Sequence, residues 1–278
     1  MDRQFFQMAS DDGRLISPNM QAELERFGAV MWPPLSVSAN AELPLARTAP
    51  RALVKSGRPV LRLAELLDLL LLTDVQTDGP VAAPIWRDYA SHLALKLMQL
   101  YLTRQPVART GSDAIADQIR RSRQFANLST FLQPIFHPQA NYSAPLDHTL
   151  GNLAVALCEL FPPPSGKVRL FMDGLSLRLP GLSHRVVTAV GLELLLNVLQ
   201  HGFFSGASGD VYMIAGRQSP QTGFLLVADN GRGVGCHAPG EGFRLINRLA
   251  GLIGGETVLR GAGAKGTEVQ ARFSVALK

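Results

Sequence analysis

The run ELLLNVLQH, from Glu193 to His201, places a carboxylate, an amide and an imidazole at intervals of four residues. An α-helix turns roughly 100° per residue, so steps of four drift by only about 40° and the three side chains share one face. The residues between them, Leu194, Leu195, Leu196, Val198 and Leu199, are apolar and suited to burying the rest of the helix. Three polar groups on one rail of an apolar helix are costly to bury without partners, so a polar counterpart is expected against them.

Downstream the chain turns to glycine. In FLLVADNGRGVG a short apolar run reads as a buried strand that Asp229 ends, followed by Gly231, Gly233 and Gly235. In PGEGFRLINRLAGLIGG, Gly240 and Gly242 precede a helix with Phe243, Leu245, Ile246, Leu249 and Leu252 on its buried side. GAGAKGTEVQARFSV then runs glycines into an alternating strand. Glycine lets backbone N–H groups approach an anion closely, and a helix N-terminus adds a favourable dipole.

Read in order, E-x-x-x-N on a helix, D-x-G-x-G, G-x-G-F and G-T resemble the nucleotide-binding boxes of the GHKL ATPase superfamily, which includes the sensor histidine kinases, gyrase B and MutL. One glycine box alone is a weak signal; four in this order are a specific one. The resemblance covers roughly residues 86–275 and is strongest over 185–275. It implies an α/β fold: a two-layer Bergerat-type ATP-binding sandwich, preceded by a helical hairpin that forms a dimeric four-helix bundle.

The resemblance also implies roles. Asn197 matches the asparagine that binds the magnesium bridging the triphosphate, and Glu193 the glutamate that activates the attacking group. Both assignments make chemical sense, since magnesium prefers oxygen donors and a carboxylate accepts protons. His201 falls near the phosphates. Asp229 matches the aspartate that accepts a hydrogen bond from the adenine amino group, although aspartate before glycine is also an ordinary turn signal. Gly231, Gly233, Gly240, Gly242 and Gly266 then shape the pocket and lid, with Thr267 a polar contact and Arg232 and Lys265 loop cations. Gly240 follows Asp229 so closely that the lid is short for a kinase.

Ahead of this region, a helix is expected from about 85 to 102. Trp86, Tyr89, Leu93, Leu97 and Leu100 form its apolar stripe, and Asp88, His92, Lys96 and Gln99 its polar one. A second helix is expected over 112–133, capped by Ser112 or Asp113, with Ile115, Ile119, Phe125, Leu128 and Leu132 inward. Their apolar surface exceeds what one hairpin covers, which favours pairing with a second copy. His92 is expected on an exposed stripe of the first hairpin helix, where the resemblance implies a phosphoacceptor. The likeness is to kinases whose acceptor helix reads H-R-x-K-N. In SHLALKLMQL no Arg follows His92, Lys96 stands one place late and no Asn follows it, while Gln99-Leu100 keeps the downstream register. Of the other histidines, His137 precedes proline, His148 starts a later helix, and His184, His201 and His237 fall in the ATP-binding region.

The remaining organisation is coarser. Residues 1–84 carry many prolines, amphipathic candidates at 20–31 and 60–72, and no ligand signature. Residues 85–138 form the hairpin region, for dimerisation and phosphoacceptance, and 145–278 the ATP-binding domain. Within the latter a helix is expected at 146–161, strands at 167–172 and 175–179, the Glu193 helix, a strand pair at 210–229, a helix at 241–253 and strands near 255–260 and 267–275. Helices over a mostly antiparallel sheet follow from that order.

Composition narrows the classes further. At 278 residues, with 46% hydrophobic and 18% charged residues, the chain has ample core for a folded protein. A net charge of +5 without a basic run gives no nucleic-acid signature. Cys158 and Cys236 lack metal-ligand spacing, and reduced thiols are the default. The first residues lack a signal-peptide core, and VLRLAELLDLLLL is broken by Arg62, Glu65 and Asp68, so no membrane span and a cytoplasmic location are expected.

The expected function is a dimeric histidine-kinase-like protein that binds Mg·ATP, phosphorylates His92 and passes the phosphoryl group to an aspartate of a response-regulator receiver domain. The alternative is a non-catalytic phosphotransferase or regulatory scaffold that keeps the fold. A MutL- or gyrase-like machine is disfavoured because no transducer domain follows residue 278, and an anti-sigma serine kinase would not need the hairpin.

Overall fold

A computed structural model describes residues 66, 79–103, 112–136, 145–161, 168–173, 177–203, 207–233, 240–261 and 266–275. The expected helices at 20–31 and 60–72 lie outside the described residues but for Leu66. So do Gly235, Cys236, His237, Lys265 and His137.

Two long helices come first, α1 (Ala82–Thr103) and α2 (Ser112–Phe136). They run antiparallel. Trp86 near the start of α1 meets Phe136 at the end of α2 with ring centres 6.2 Å apart, and Tyr101 meets Phe125 at 5.6 Å. The sequence suggests that α2 stops before Pro134, yet it runs on through that residue. A proline inside a helix costs about 3 kcal/mol, and complete burial of Ile135 and Phe136 offsets it.

There follow α3 (Leu146–Leu160), β1 (Val168–Asp173), α4 (Gly181–Asn197), β2 (Gly209–Arg217), β3 (Thr222–Asp229), α5 (Glu241–Gly251), β4 (Glu256–Gly261) and β5 (Thr267–Ser274). The strands form one sheet in the order β1-β2-β3-β5-β4, with β1 and β2 parallel and the other neighbours antiparallel. The strand expected at 175–179 is not formed over its described part: residues 177–180 belong to no strand and lead through the extended Pro180 into α4.

Helices α3, α4 and α5 pack on the sheet, while α1 packs on α5, and α2 on α3 and α4. Helix α4 is therefore enclosed on all sides, buried without a break from His184 to Leu196, as a helix apolar on most of its faces requires. Gly181–Gly202 is long and apolar enough to cross a membrane, but most of it is buried inside this fold. Gly191 permits the enclosure, because a Cβ there would lie 2.7 Å from Leu150 and 3.3 Å from Leu225.

The apolar stripe of α1 is buried by its own chain: Trp86, Tyr89, Leu93, Leu97 and Leu100 are at most 1% exposed. Arg185 of α4 lays its guanidinium over Trp86, 4.6 Å from the ring centre, and donates to the Ile135 carbonyl oxygen at 2.8 Å. Tyr89 donates to the Ala189 carbonyl oxygen at 2.9 Å. Helices α1 and α2 thus form a third layer over α4 and α5, and the stripe expected to seek a second copy is already covered. Phe125, Leu128 and Leu132 are buried as expected, but Ile115 and Ile119 are not; they are 62% and 44% exposed.

Two registers position the site. Asp229 at the end of β3 lies opposite Val211 of β2 and Thr267 of β5. Gly231, just after β3, and Gly266, just before β5, therefore meet at the same sheet end, where Arg232 N–H donates to the Gly202 carbonyl oxygen at 2.8 Å.

Candidate functional site

Glu193 is completely buried in α4, Asn197 half-buried at its end and His201 exposed. From Val198 to Gly202 the helix widens into a π-helical turn, so His201 leaves the ideal rail without leaving the cavity. Such local widening recurs at functional sites. The expected polar counterpart to the rail is the polar stripe of α1. His92 Nε2 lies 3.2 Å from Glu193 Oε1, and Lys96 Nζ donates to both Glu193 Oε1 and Asn197 Oδ1 at 2.6 Å. On either side, Arg248 of α5 pairs with Asp88 at 2.9 Å, and Gln200 donates to Gln99 at 3.1 Å. All four members of that stripe face the rest of the fold. His92, expected on an exposed face, keeps 23% of its side-chain surface.

Electrostatics explain how a carboxylate survives here. Burial raises the Glu193 pKa, but the hydrogen bond from His92 and the charge of Lys96 outweigh it and hold the group below its ordinary value. Burial lowers the Lys96 ammonium and the Glu193 charge opposes that. Glu193 Oε2 has no partner among the described residues. Gly242, at the start of α5, makes the cluster possible, since a Cβ there would stand 2.1 Å from Glu193 Oε1 and 3.1 Å from His92 Nε2.

At the far end, Asp229 is 8% exposed and accepts from the Gly231 N–H at 2.8 Å, an aspartate turn of the ordinary kind. Burial pushes its carboxyl up to about 6, against the lowering effect of hydrogen bonds from Gly231 and Thr267. Burial, then the charges of Lys96 and Arg232, lower the pKa of His201.

Between these ends lies a cavity of about 880 Å³, within the range of small-molecule sites. It is lined by His92, Lys96, Glu193, Asn197, His201, Asp229, Gly233, Gly240, Gly242 and Thr267, with Val227, Phe243, Leu259 and Val269 as apolar wall and Arg232 at its edge. Gly231 and Gly266 do not line it. They pack behind Asp229: Gly266 has φ 83° and donates to the Gly231 carbonyl oxygen at 2.8 Å, and a Cβ on Gly231 would strike the Gly202 carbonyl oxygen. Gly240 caps α5, whose N-terminus opens on the cavity, a place where the helix dipole favours an anion.

The residues present fit a nucleotide: an apolar wall beside a buried carboxylate for a flat base, and cations with a helix N-terminus for phosphates. The oxygens of Asn197 and Glu193 suit a hard cation such as magnesium, but one from each residue is already bonded to Lys96. Among the described residues no group of His, Cys, Asp and Glu forms an all-protein metal cage. Lys96 is the site residue that sequence reasoning passed over as part of a polar stripe. Its spacing of four from His92 matches that of Asn197 from Glu193, and this was the signal available.

No protein-family model and no curated protein matches the sequence. Solved structures do. The histidine kinase domain of the Erythrobacter litoralis EL346 blue-light activated histidine kinase is 22% identical over 77% of this chain and 94% of its own, with a TM-score of 0.50. The longer Erythrobacter litoralis EL346 structure matches 69% of this chain and 58% of its own at 22% identity and TM-score 0.44. The Acinetobacter baumannii histidine kinase AdeS matches 67% of this chain and 98% of its own at 12% identity and TM-score 0.38. The chain has the fold of that Erythrobacter litoralis histidine kinase domain.

Proposed function

We propose that the protein is a histidine kinase that binds Mg·ATP in the cavity between α4 and the glycine loops, phosphorylates its own His92 and passes the phosphoryl group to a receiver-domain aspartate. The observation that carries this reading is His92 Nε2 at 3.2 Å from Glu193 Oε1 on the wall of the cavity that Asp229 closes at its other end. Acceptor, base and base-binding carboxylate share one pocket within one chain, which supports transfer in cis.

Glu193, held ionised, accepts the Nε2–H of His92. In transfer Glu193 takes that proton, the freed lone pair forms the Nε2–phosphorus bond, and the bond from phosphorus to the bridging oxygen breaks, releasing ADP. The chain's contribution is position and charge rather than a nucleophile triad. Asp229 fixes the purine by accepting from its amino group, and Arg232 and the α5 N-terminus face the phosphates. Magnesium, when bound, neutralises charge developing on the phosphates, with Asn197 as its protein oxygen donor.

Dimerisation remains part of the proposal on a different surface from the one expected. Leu102 near the end of α1, 64% exposed, and Ile115 and Ile119 near the start of α2, 62% and 44% exposed, leave apolar surface outside the fold, and this supports contact with a second copy. One observation favours a scaffold that scarcely uses ATP, namely the engagement of Asn197 by Lys96. Incubation with γ-labelled ATP separates the readings. The kinase yields an acid-labile, base-stable label that transfers to a receiver domain, and Asp229→Ala abolishes it together with ATP binding. A wild-type protein that binds ATP tightly and never labels is a scaffold.

A further inference from the structure

The contact between Lys96 and the α4 rail has a consequence for the metal. His92 and Lys96 stand one turn apart on α1, Glu193 and Asn197 one turn apart on α4, and the two pairs face each other. Glu193 Oε1 accepts from both α1 side chains, and Lys96 Nζ bridges it to Asn197 Oδ1 with two bonds of 2.6 Å. The Lys96 side chain is 7% exposed and lines the cavity. Magnesium binds oxygen at about 2.0–2.1 Å and Asn197 offers it one oxygen, so an ion on Asn197 Oδ1 would have to share that atom with a cation already in contact. Like charges at that separation in a buried site repel strongly.

We propose that Lys96 is a tethered cation that competes with magnesium for the Glu193 and Asn197 oxygens, making nucleotide binding in this chain weakly dependent on divalent metal. This rests on the nucleotide reading above and deepens it. Docking of α1 supplies the positive charge that a free ion supplies in a site without such a lysine. Metal binding and the Lys96 contact are then antagonistic, and magnesium weakens the grip of the acceptor helix on the domain.

The test compares ATP affinity by calorimetry in saturating magnesium and in EDTA for the full chain, Lys96→Met and the double variant Lys96→Met/Glu193→Gln. The double variant removes the buried charge that Lys96→Met strands, and circular dichroism shows which proteins are folded. Wild type is expected to change by less than about threefold between the two conditions, and the folded lysine variants by at least about tenfold. Equal dependence in wild type and variants, or a larger dependence in wild type, overturns the proposal. If none of the folded proteins binds ATP, the nucleotide reading fails, and manganese titration of the ligand-free proteins by electron paramagnetic resonance decides this inference alone. Manganese bound at the site by Lys96→Met and not by wild type supports competition. The same manganese affinity in both overturns it.

Discussion

At the scale of single residues, the two ends of the cavity are held by buried acids whose pKa values are shifted in opposite directions. Glu193 is kept ionised by a cation and an imidazole, whereas Asp229 has only hydrogen bonds and is pushed up to about 6. Because its folded pKa lies above the ordinary 3.8, Asp229 contributes stability that is full below about pH 4 and lost as pH rises through 6. His184, buried against Thr149, is lowered to about 4 from 6.5. Its contribution has the other sign, present above pH 6.5 and lost as pH falls through 4. The two trends oppose each other across the same window. Asp229→Asn should therefore raise stability at pH 7 by on the order of 1–3 kcal/mol and leave the acid loss from His184 uncompensated. Urea midpoints from pH 7 to 4 check this; a variant no more stable at pH 7 and no steeper towards acid contradicts it. Glu193, Asn197, His201 and Asp229 were legible because each stands at a fixed spacing from apolar residues or glycine. Lys96 was not singled out, because a lysine between leucines reads as a solvated face until its partner helix is known.

At the scale of elements, α1 behaves as a two-sided helix. One stripe, from Trp86 to Leu100, closes the core over α4, and the neighbouring stripe of Asp88, His92, Lys96 and Gln99 docks the same helix on α4 and α5. What is left outside is Leu102, 64% exposed, with Met98 37% exposed, while Leu95 lines the cavity. Periodicity found both stripes but could not say which neighbour each would meet, and so it turned Ile115 and Ile119 inward and assigned Leu93 and Leu97 to a partner. A charge at Leu97 is expected to unfold the protein, since an unpaired buried charge costs several kcal/mol. Leu102→Asp with Ile115→Asp is expected to leave the fold intact and shift light scattering from dimer to monomer. A wild type already monomeric, or a folded double variant still dimeric, contradicts an interface on this surface.

At the scale of the whole molecule, the order of helices and strands from 145 to 275, apart from the strand expected at 175–179, was legible because each element carries its own period and its own glycine or proline boundary. The layering was not, because it depends on α1 and α2 lying over α4 rather than apart from it, and no local pattern encodes that choice. Its result is that His92 and the cavity belong to one packed body, with His92 already against Glu193. Transfer is accordingly expected in cis: a mixture of His92→Gln and Asp229→Ala proteins should not label, whereas labelling of the mixture would mean transfer between chains. The most direct measurement is the phosphorylation of His92→Gln beside wild type with γ-labelled ATP, with ATP affinity measured on the same samples. The expected result is an acid-labile, base-stable label on wild type and none on the variant, at affinities within about threefold of each other. An acid-labile label that persists in His92→Gln, or a wild type that binds ATP and stays unlabelled, would contradict the assignment of His92 as acceptor in its own active site.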